Sequence, residues 1–283
     1  MNSKFDSIVQ NKFSEVFHAL HHADEMLVLL NVWDCASAKI AEMAGFPAIA
    51  TTSAGVAWSY GYQDGEDIPP GLMVEAVNRI AHSVQVPVTA DVEGGYFRNN
   101  LDTFSKFINN IIDAGAVGIN LEDGYAHTNK LNDIKQQAAE IKIAKENGRQ
   151  KGINLFVNAR TDAMLLPKDL KSRIEICIER AKMLEAAGAD GIFIPFIKEI
   201  ETVVQLKESI RLPLNILMAD TLDAAELRKL KINRMSVGSK PVLATLSLLR
   251  DIAGALRQGN NWQLLYSKKP TYGEVNEWFS KQK

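Results

Sequence analysis

The sequence predicts an α/β fold, a (β/α)₈ barrel. Three observations carry that reading: short apolar or β-branched runs recur about eight times, helical stretches separate them, and the joints between the two repeat a phrase. The runs are residues 27–32, 48–52, 86–90, 117–121, 153–157, 191–195, 213–217 and 232–237. Between them, stretches such as 101–114, 131–147, 171–187 and 222–230 place apolar residues three and four apart, as a helix laid on a sheet requires. At three joints the chain reads Ala44-Gly45-Phe46-Pro47, Ala114-Gly115-Ala116-Val117 and Ala187-Gly188-Ala189-Asp190. A glycine there closes the helix in a left-handed conformation before the chain turns inward.

At 283 residues the chain exceeds an average domain but suits one barrel, since such barrels run to about 250 residues. No Pro/Gly/Ser linker divides it, so a single barrel domain is expected over 1–283, with 258–283 as a C-terminal extension packed on the barrel or on a partner subunit. The composition, 46% hydrophobic and 23% charged, supplies ample core material. A formal net charge of −2 without clustered Lys/Arg excludes the electrostatic footprint of a nucleic-acid binder or a protein drawn to anionic membranes. A small-molecule substrate is the expected partner. Cys35 and Cys177 lie far apart in helical stretches and offer neither a disulfide framework nor a C-x-x-C site. No apolar stretch approaches the ~20 residues of a membrane span, and the polar start carrying His18, His21 and His22 is unlike a signal peptide, so the cytoplasm is the expected compartment.

Barrel active sites lie at the C-terminal ends of the strands, which directs attention to the residues just after each run. These are Asn31, Trp33 and Asp34 after the first run and Thr51 to Gly55 after the second. Asp91 and Glu93 follow the third, Glu122-Asp123 the fourth, and Asn158-Ala159-Arg160-Thr161-Asp162 the fifth. Asp91, Glu93, Glu122 and Asp123 crowd adjacent strand ends without an obvious equal number of cations, and carboxylates so placed repel unless a hard cation or protons intervene. Mg²⁺ fits best, with Mn²⁺ as its substitute; the alternative is a set of surface acids at helix N-termini. Arg160, beside Asn158, is placed to grip a carboxylate through its fork, or else to pair with Asp162 or Glu122. The turn Thr52-Ser53-Ala54-Gly55 offers backbone N–H groups to an oxyanion. The polar stretch 58–66 reads as a loop carrying Tyr60 and Asp64 over the mouth, and 124–130 as a second cover bearing His127, which could equally be an exposed histidine without a role.

Five separated motifs now stand in order on successive strand ends. They are Asn31-Val32-Trp33-Asp34 with Thr52-Ser53, Gly61-Tyr62-Gln63-Asp64-Gly65, Ala90-Asp91-Val92-Glu93-Gly94-Gly95-Tyr96, Asn120-Leu121-Glu122-Asp123, and Asn158-Ala159-Arg160-Thr161-Asp162. Together they resemble the isocitrate lyase/phosphoenolpyruvate mutase superfamily over roughly residues 25–255. The resemblance implies a Mg²⁺-dependent barrel acting on α-keto acids, a homodimer or homotetramer in which the last barrel helix swaps onto a neighbour. It implies Asp91 as the direct metal ligand, with Asp64, Glu93 and Glu122 holding metal-bound waters. Trp33, Tyr60 and Asn158 would line the substrate pocket; Ser53, Ala54 and Gly55 would meet the substrate carboxylate or enolate oxygen, and Arg160 the group that leaves or migrates.

Departures from the pattern narrow the branch. The superfamily's lyases carry a cysteine loop, and residues 124–131 contain no cysteine. The same segment, Ala126-His127-Thr128-Asn129-Lys130-Leu131, is similar to the mutase gating loop, with His127 in place of lysine and Thr128 and Asn129 kept. The resemblance thus implies a phosphonomutase-like enzyme, with Arg160, Asp64, His127 and Asn129 as catalytic residues. It would form or break a C–P or C–C bond beside a carbonyl through a metal-bound pyruvate enolate. Alternatives are an oxaloacetate decarboxylase or hydrolase, a 2-methylisocitrate lyase-like enzyme in which His127 or Tyr125 replaces the cysteine, and a catalytically silent keto-acid-binding barrel.

Overall fold

Strands β1 (Leu27–Leu29) and β2 (Asn31–Val32) are two halves of one barrel strand broken at Leu30, and that break closes the ring. β1 pairs with the last strand, Leu27 opposite Arg234, whereas β2 pairs with the next strand, Asn31 opposite Ala50. Asn31 stitches the seam: its Oδ1 accepts from the backbone N–H groups of Val237 and Gly238 at 3.0 and 2.8 Å, and its Nδ2 donates to the Thr51 carbonyl at 3.0 Å. The remaining strands are β3 (Ile49–Thr51), β4 (Val88–Asp91), β5 (Gly118–Glu122), β6 (Phe156–Arg160), β7 (Gly191–Ile194), β8 (Leu214–Leu217) and β9 (Arg234–Ser236). All pair parallel to their neighbours in the order β1-β9-β8-β7-β6-β5-β4-β3-β2, the (β/α)₈ barrel that the sequence predicts. The computed structural model describes residues 5–98, 100–125, 128–259, 262–266 and 269–280.

The helices are α1 (Ser7–His21), α2 (Cys35–Met43), α3 (Ser53–Ser59), α4 (Pro70–Ser83), α5 (Leu101–Asp113), α6 (Ile134–Gln150), α7 (Leu170–Ala186), α8 (Ile200–Ser209), α9 (Ala224–Lys229), α10 (Lys240–Arg257) and α11 (Tyr272–Trp278). Carboxylate or amide caps start many of them: Asp34 accepts from Ser37 N at 2.7 Å, Asn100 from Thr103 N at 3.0 Å and Asp169 from Ser172 N at 3.0 Å. Asp34 is therefore a helix cap. Gly45, Gly115 and Gly188 take φ of 83°, 104° and 99°, the left-handed closure expected at the three repeated joints. By internal contacts the chain forms two units, Met1–Gly238 and Ser239–Lys283.

Strand alternation separates the two faces of the wall. Outward residues such as Ile119, Leu121, Val157, Ile192, Ile216 and Met235 pack with Phe104, Ile108, Ile141 and Leu206 of the helices. Inward residues in the middle of the barrel are polar: Thr89, Asn120, Asn158, Asn215, Arg234 and Ser236, all buried. The N-terminal end is plugged by α1, whose Phe17 joins Leu27, Leu29 and Phe156, and whose His21 stacks on Phe156 with ring centroids 3.9 Å apart.

Three expectations need correction. The fifth strand begins at Phe156 and not at residue 153, because its inward side chains Asn158 and Arg160 are polar and hide the strand from a reading by hydropathy. Thr52 to Gly55 form the N-cap and first turn of α3 and no free turn; Trp58 belongs to the same helix. Residues 7–21, read only as a polar start, form α1, whose Phe13, Phe17 and Leu20 recur at helical spacing.

Candidate active site

Groups at the C-terminal ends of β3, β5 and β6 surround Asp91, the last residue of β4. Its backbone N–H donates to Thr51 Oγ1 at 2.8 Å, which fixes the strand end. Its Oδ2 accepts from Ser53 Oγ at 3.2 Å and Ser53 N at 3.5 Å, while Oδ1 is buried without a hydrogen-bond partner. Burial raises the Asp91 pKa, Arg160 opposes that rise, and Asp64 adds to it.

Glu93 follows in a strained turn. It takes φ 52°, Tyr96 64° and Glu66 68°, and such backbone persists only where surroundings hold it. Here the ties are mutual: Glu93 Oε2 accepts from Glu66 N at 2.6 Å, Glu93 Oε1 from the Tyr96 hydroxyl at 3.2 Å, and Glu66 Oε1 from Tyr96 N at 2.8 Å. Burial, then the charges of Asp64, Asp91 and Glu66, push Glu93 up to about 8. Arg98, buried, stands 3.8 Å from Glu66 and 4.8 Å over the Tyr125 ring. Its guanidinium occupies the space where a side chain on Gly94 would begin, which accounts for that glycine.

Arg160 and Glu122 are cross-strand partners at the ends of β6 and β5, and their side chains meet at 2.5 Å. The other edge of the guanidinium donates to Asp162 through Nε at 2.7 Å and Nη2 at 2.9 Å. Both pairings weighed from the sequence are thus present. Burial raises Glu122 well above the carboxylate range against the pull of Arg160. Asp123 leaves the carboxylate crowd: it is fully buried, ion-paired with Arg180 of α7 at 2.6 Å, and accepts from Asp162 N at 2.8 Å. Arg98 stands five residues after Glu93, and the fold brings in two cations that the local sequence lacks, Arg180 and Arg234. A period-two reading of 232–237 could have found Arg234, an inward charge on an apolar strand.

The remaining predicted residues divide. Asp64 is half-buried, with Oδ1 unpartnered, and its charge reaches both Asp91 and Glu93. Trp33 is packed on by Gly55, where an added Cβ would come 2.8 Å from the Trp33 Cβ; Ser53 and Ala54 are buried beside it. Asn158 is buried one layer below Arg160 and donates to Asn120 Oδ1 at 2.9 Å. Tyr60 ends α3, 37% exposed and within electrostatic reach of Arg79 on α4. Asn129 is exposed in a segment pinched by the antiparallel bridge Gly124–Leu131, and His127 lies outside the described residues.

The donors suit a hard divalent cation. Two buried carboxylate oxygens, Asp91 Oδ1 and Asp64 Oδ1, lack partners, and the acids around them repel one another. Among the described residues no three His, Cys, Asp or Glu side chains form a ready cage. Oxygen donors of this kind are those that a hard divalent cation takes.

A family model described as phosphoenolpyruvate phosphomutase matches residues 17–257. The chain belongs to that family. This places it within the isocitrate lyase/phosphoenolpyruvate mutase superfamily, whose members are enzymes. The mutase-family chain is 35% identical over 243 residues to an uncharacterized protein of Mycobacterium tuberculosis, covering 86% of this chain and 89% of that one. It is 25% identical over 248 residues to oxaloacetate decarboxylase of Paraburkholderia xenovorans, covering 83% and 79%. Among solved structures, a phosphonomutase-like protein of Burkholderia cenocepacia superposes with a TM-score of 0.82 at 34% identity, over 89% of this chain and 100% of that one. Phosphonopyruvate hydrolase, solved with oxalate and Mg²⁺, shares the fold at a TM-score of 0.81 and 21% identity, over 94% of each chain. No helix among the described residues is long and apolar enough to cross a membrane.

Proposed function

We propose that this chain is a Mg²⁺-dependent enzyme that cleaves the C–C bond beside the carbonyl of a small dicarboxylic α-keto acid of the oxaloacetate type. The observation that carries this is the unpartnered Asp91 Oδ1 on the barrel rim, flanked by Ser53 and by Arg160. Relatives named oxaloacetate decarboxylase support the reading. Asp91 would hold the cation directly, with Asp64, Glu93 and Glu122 holding its water; when bound, the cation supplies electrophilic stabilisation of negative charge on the keto oxygen. Ser53, at the start of α3, donates toward that oxygen. Arg160, held flat by Glu122 and Asp162, orients the departing carboxylate so that the breaking bond stands across the carbonyl plane. The electron pair of that bond forms the carbon–carbon double bond of the enolate as the carbonyl π pair moves onto the keto oxygen, carbon dioxide leaves, and the pyruvate enolate takes a proton from water at carbon.

A second reading, cleavage or transfer of a C–P bond, is favoured by the Thr128-Asn129 pair in the segment after β5 and by the family's name. The test is pyruvate release from oxaloacetate, phosphonopyruvate and 2-methylisocitrate, with Mg²⁺ and then with EDTA. Release from oxaloacetate alone, lost with EDTA, supports the first reading, and release from phosphonopyruvate alone supports the second. The exposed leucines of α10, Leu243, Leu246 and Leu249, fit cover by another subunit in a homodimer or homotetramer, which light scattering after gel filtration measures.

A further inference from the structure

Arg234 heads the fully buried side chains of the described residues by volume. It starts on β9, and its Nη2 donates to Asn120 Oδ1 of β5 at 3.1 Å. With β1 and β2 counted as one strand, β5 and β9 stand opposite in the ring, so this guanidinium crosses the barrel interior. Asn120 is the in-register partner of Asp91. The positive charge therefore ends at the strand position beside the proposed metal ligand, as the floor of the site.

Its pairing is incomplete. Nε and Nη1 have no hydrogen-bond partner, nor has Nδ2 of Asn215, the residue in register with Arg234 on β8. His21, packed from α1, is held neutral because burial and Arg234 itself lower its pKa. Burial lowers Arg234 to about 9, which leaves it charged at neutral pH, and the carboxylate whose charge reaches it is Asp91. A buried charge needs a counter-charge, and Asp91 is shared with Arg160. Once a divalent cation takes Asp91, Arg234 is left as fixed, uncompensated positive charge beneath the site.

We propose that Arg234 is a positioning residue that sets anion specificity: it favours dianionic over monoanionic occupants of the site and opposes uptake of the bare cation. An anion above the Asp91 end restores the balance that the cation removes, and a second negative charge gains more from the same field. The proposal rests on the keto-acid reading and deepens it by naming the residue that selects the doubly charged acid.

The experiment is calorimetric titration of Mg²⁺, and then of oxalate and pyruvate into the Mg²⁺-loaded protein, for wild type, Arg234→Met, Arg234→Lys and Asn120→Asp. Asn120→Asp sets a carboxylate against Arg234 without removing it, so it tests the charge even where Arg234→Met fails to fold by circular dichroism. In Arg234→Met and Asn120→Asp, oxalate should bind roughly tenfold more weakly, pyruvate should lose less, and Mg²⁺ should bind several-fold more tightly; Arg234→Lys should retain most of the oxalate affinity. This opposed response of cation and anion is one that loosened packing does not produce. Parallel loss of Mg²⁺ and oxalate affinity, or no change in either, overturns the role of Arg234. Failure of the wild-type protein to take up oxalate with Mg²⁺ overturns the keto-acid reading itself.

Discussion

Arg160 Nη1 lies 2.5 Å from Glu122 Oε2 across the in-register ends of β6 and β5. With Asp162 on the opposite edge, and Phe193 and Phe196 within 5.7 and 5.9 Å of the guanidinium carbon, the fork is locked in one plane. A planar, doubly held guanidinium orients a substrate group with little reorganisation, and an ammonium cannot reproduce that geometry. Arg160→Lys should therefore lower kcat by about a hundredfold while changing the Mg²⁺ dissociation constant far less. Steady-state kinetics with Mg²⁺ titration checks this, and unchanged kcat would remove Arg160 from the chemistry.

Asp91→Ala should abolish Mg²⁺-dependent turnover with the fold retained. The carboxylate sits on the rim; its removal relieves repulsion from Asp64 but takes the counter-charge from buried Arg234, so the variant should fold with a lowered midpoint. Thermal scans with and without Mg²⁺ provide the measurement: the wild-type midpoint should rise with the ion and the variant's should not, because only a bound cation stabilises the native state by mass action. An equal rise in both places the ion elsewhere.

Asn129→Ala should slow turnover about three- to thirtyfold with little change in Mg²⁺ affinity if the bridged segment 124–131 covers the mouth. Unaltered kinetics would remove that segment from the mechanism.

Glu140 of α6 is fully buried, with Oε2 unpartnered; burial pushes it from the usual 4.5 up to about 8, although Arg98 pulls the other way. The native state thus binds this proton more tightly than the unfolded chain, and the group's stabilisation, complete below about pH 4.5, is lost as pH rises toward 8. Glu140→Gln removes that dependence. Urea denaturation should find variant and wild type nearly equal at pH 5 and the variant more stable by about 1–3 kcal/mol at pH 8. Equal stability at both pH values would show that the carboxyl is not held protonated.

The repeated Ala-Gly joints and the amphipathic stretches made the barrel legible, because wall and helix faces follow two fixed periods. Asp91, Glu93, Glu122 and Arg160 were legible for a related reason: barrel strands end where polarity begins, and those ends share one face. Reading failed where a polar side chain faces inward. Asn158 and Arg160 displaced the expected fifth strand, and Thr52 to Gly55 looked like a turn because small polar residues serve turns and helix starts alike. Adjacency groups Asp123 with the site acids, yet strand alternation sends it to Arg180, 57 residues further along the chain.

The sequence by itself determined the fold class, the strand ends where polar residues gather and the excess of acids there, since these depend on local periodicity and residue type. Only the tertiary structure decided which acids are neutralised and by what. Arg180 and Arg234 come from distant segments, and an electrostatic pairing depends on distance in space, which the closure of the ring sets and separation along the chain does not.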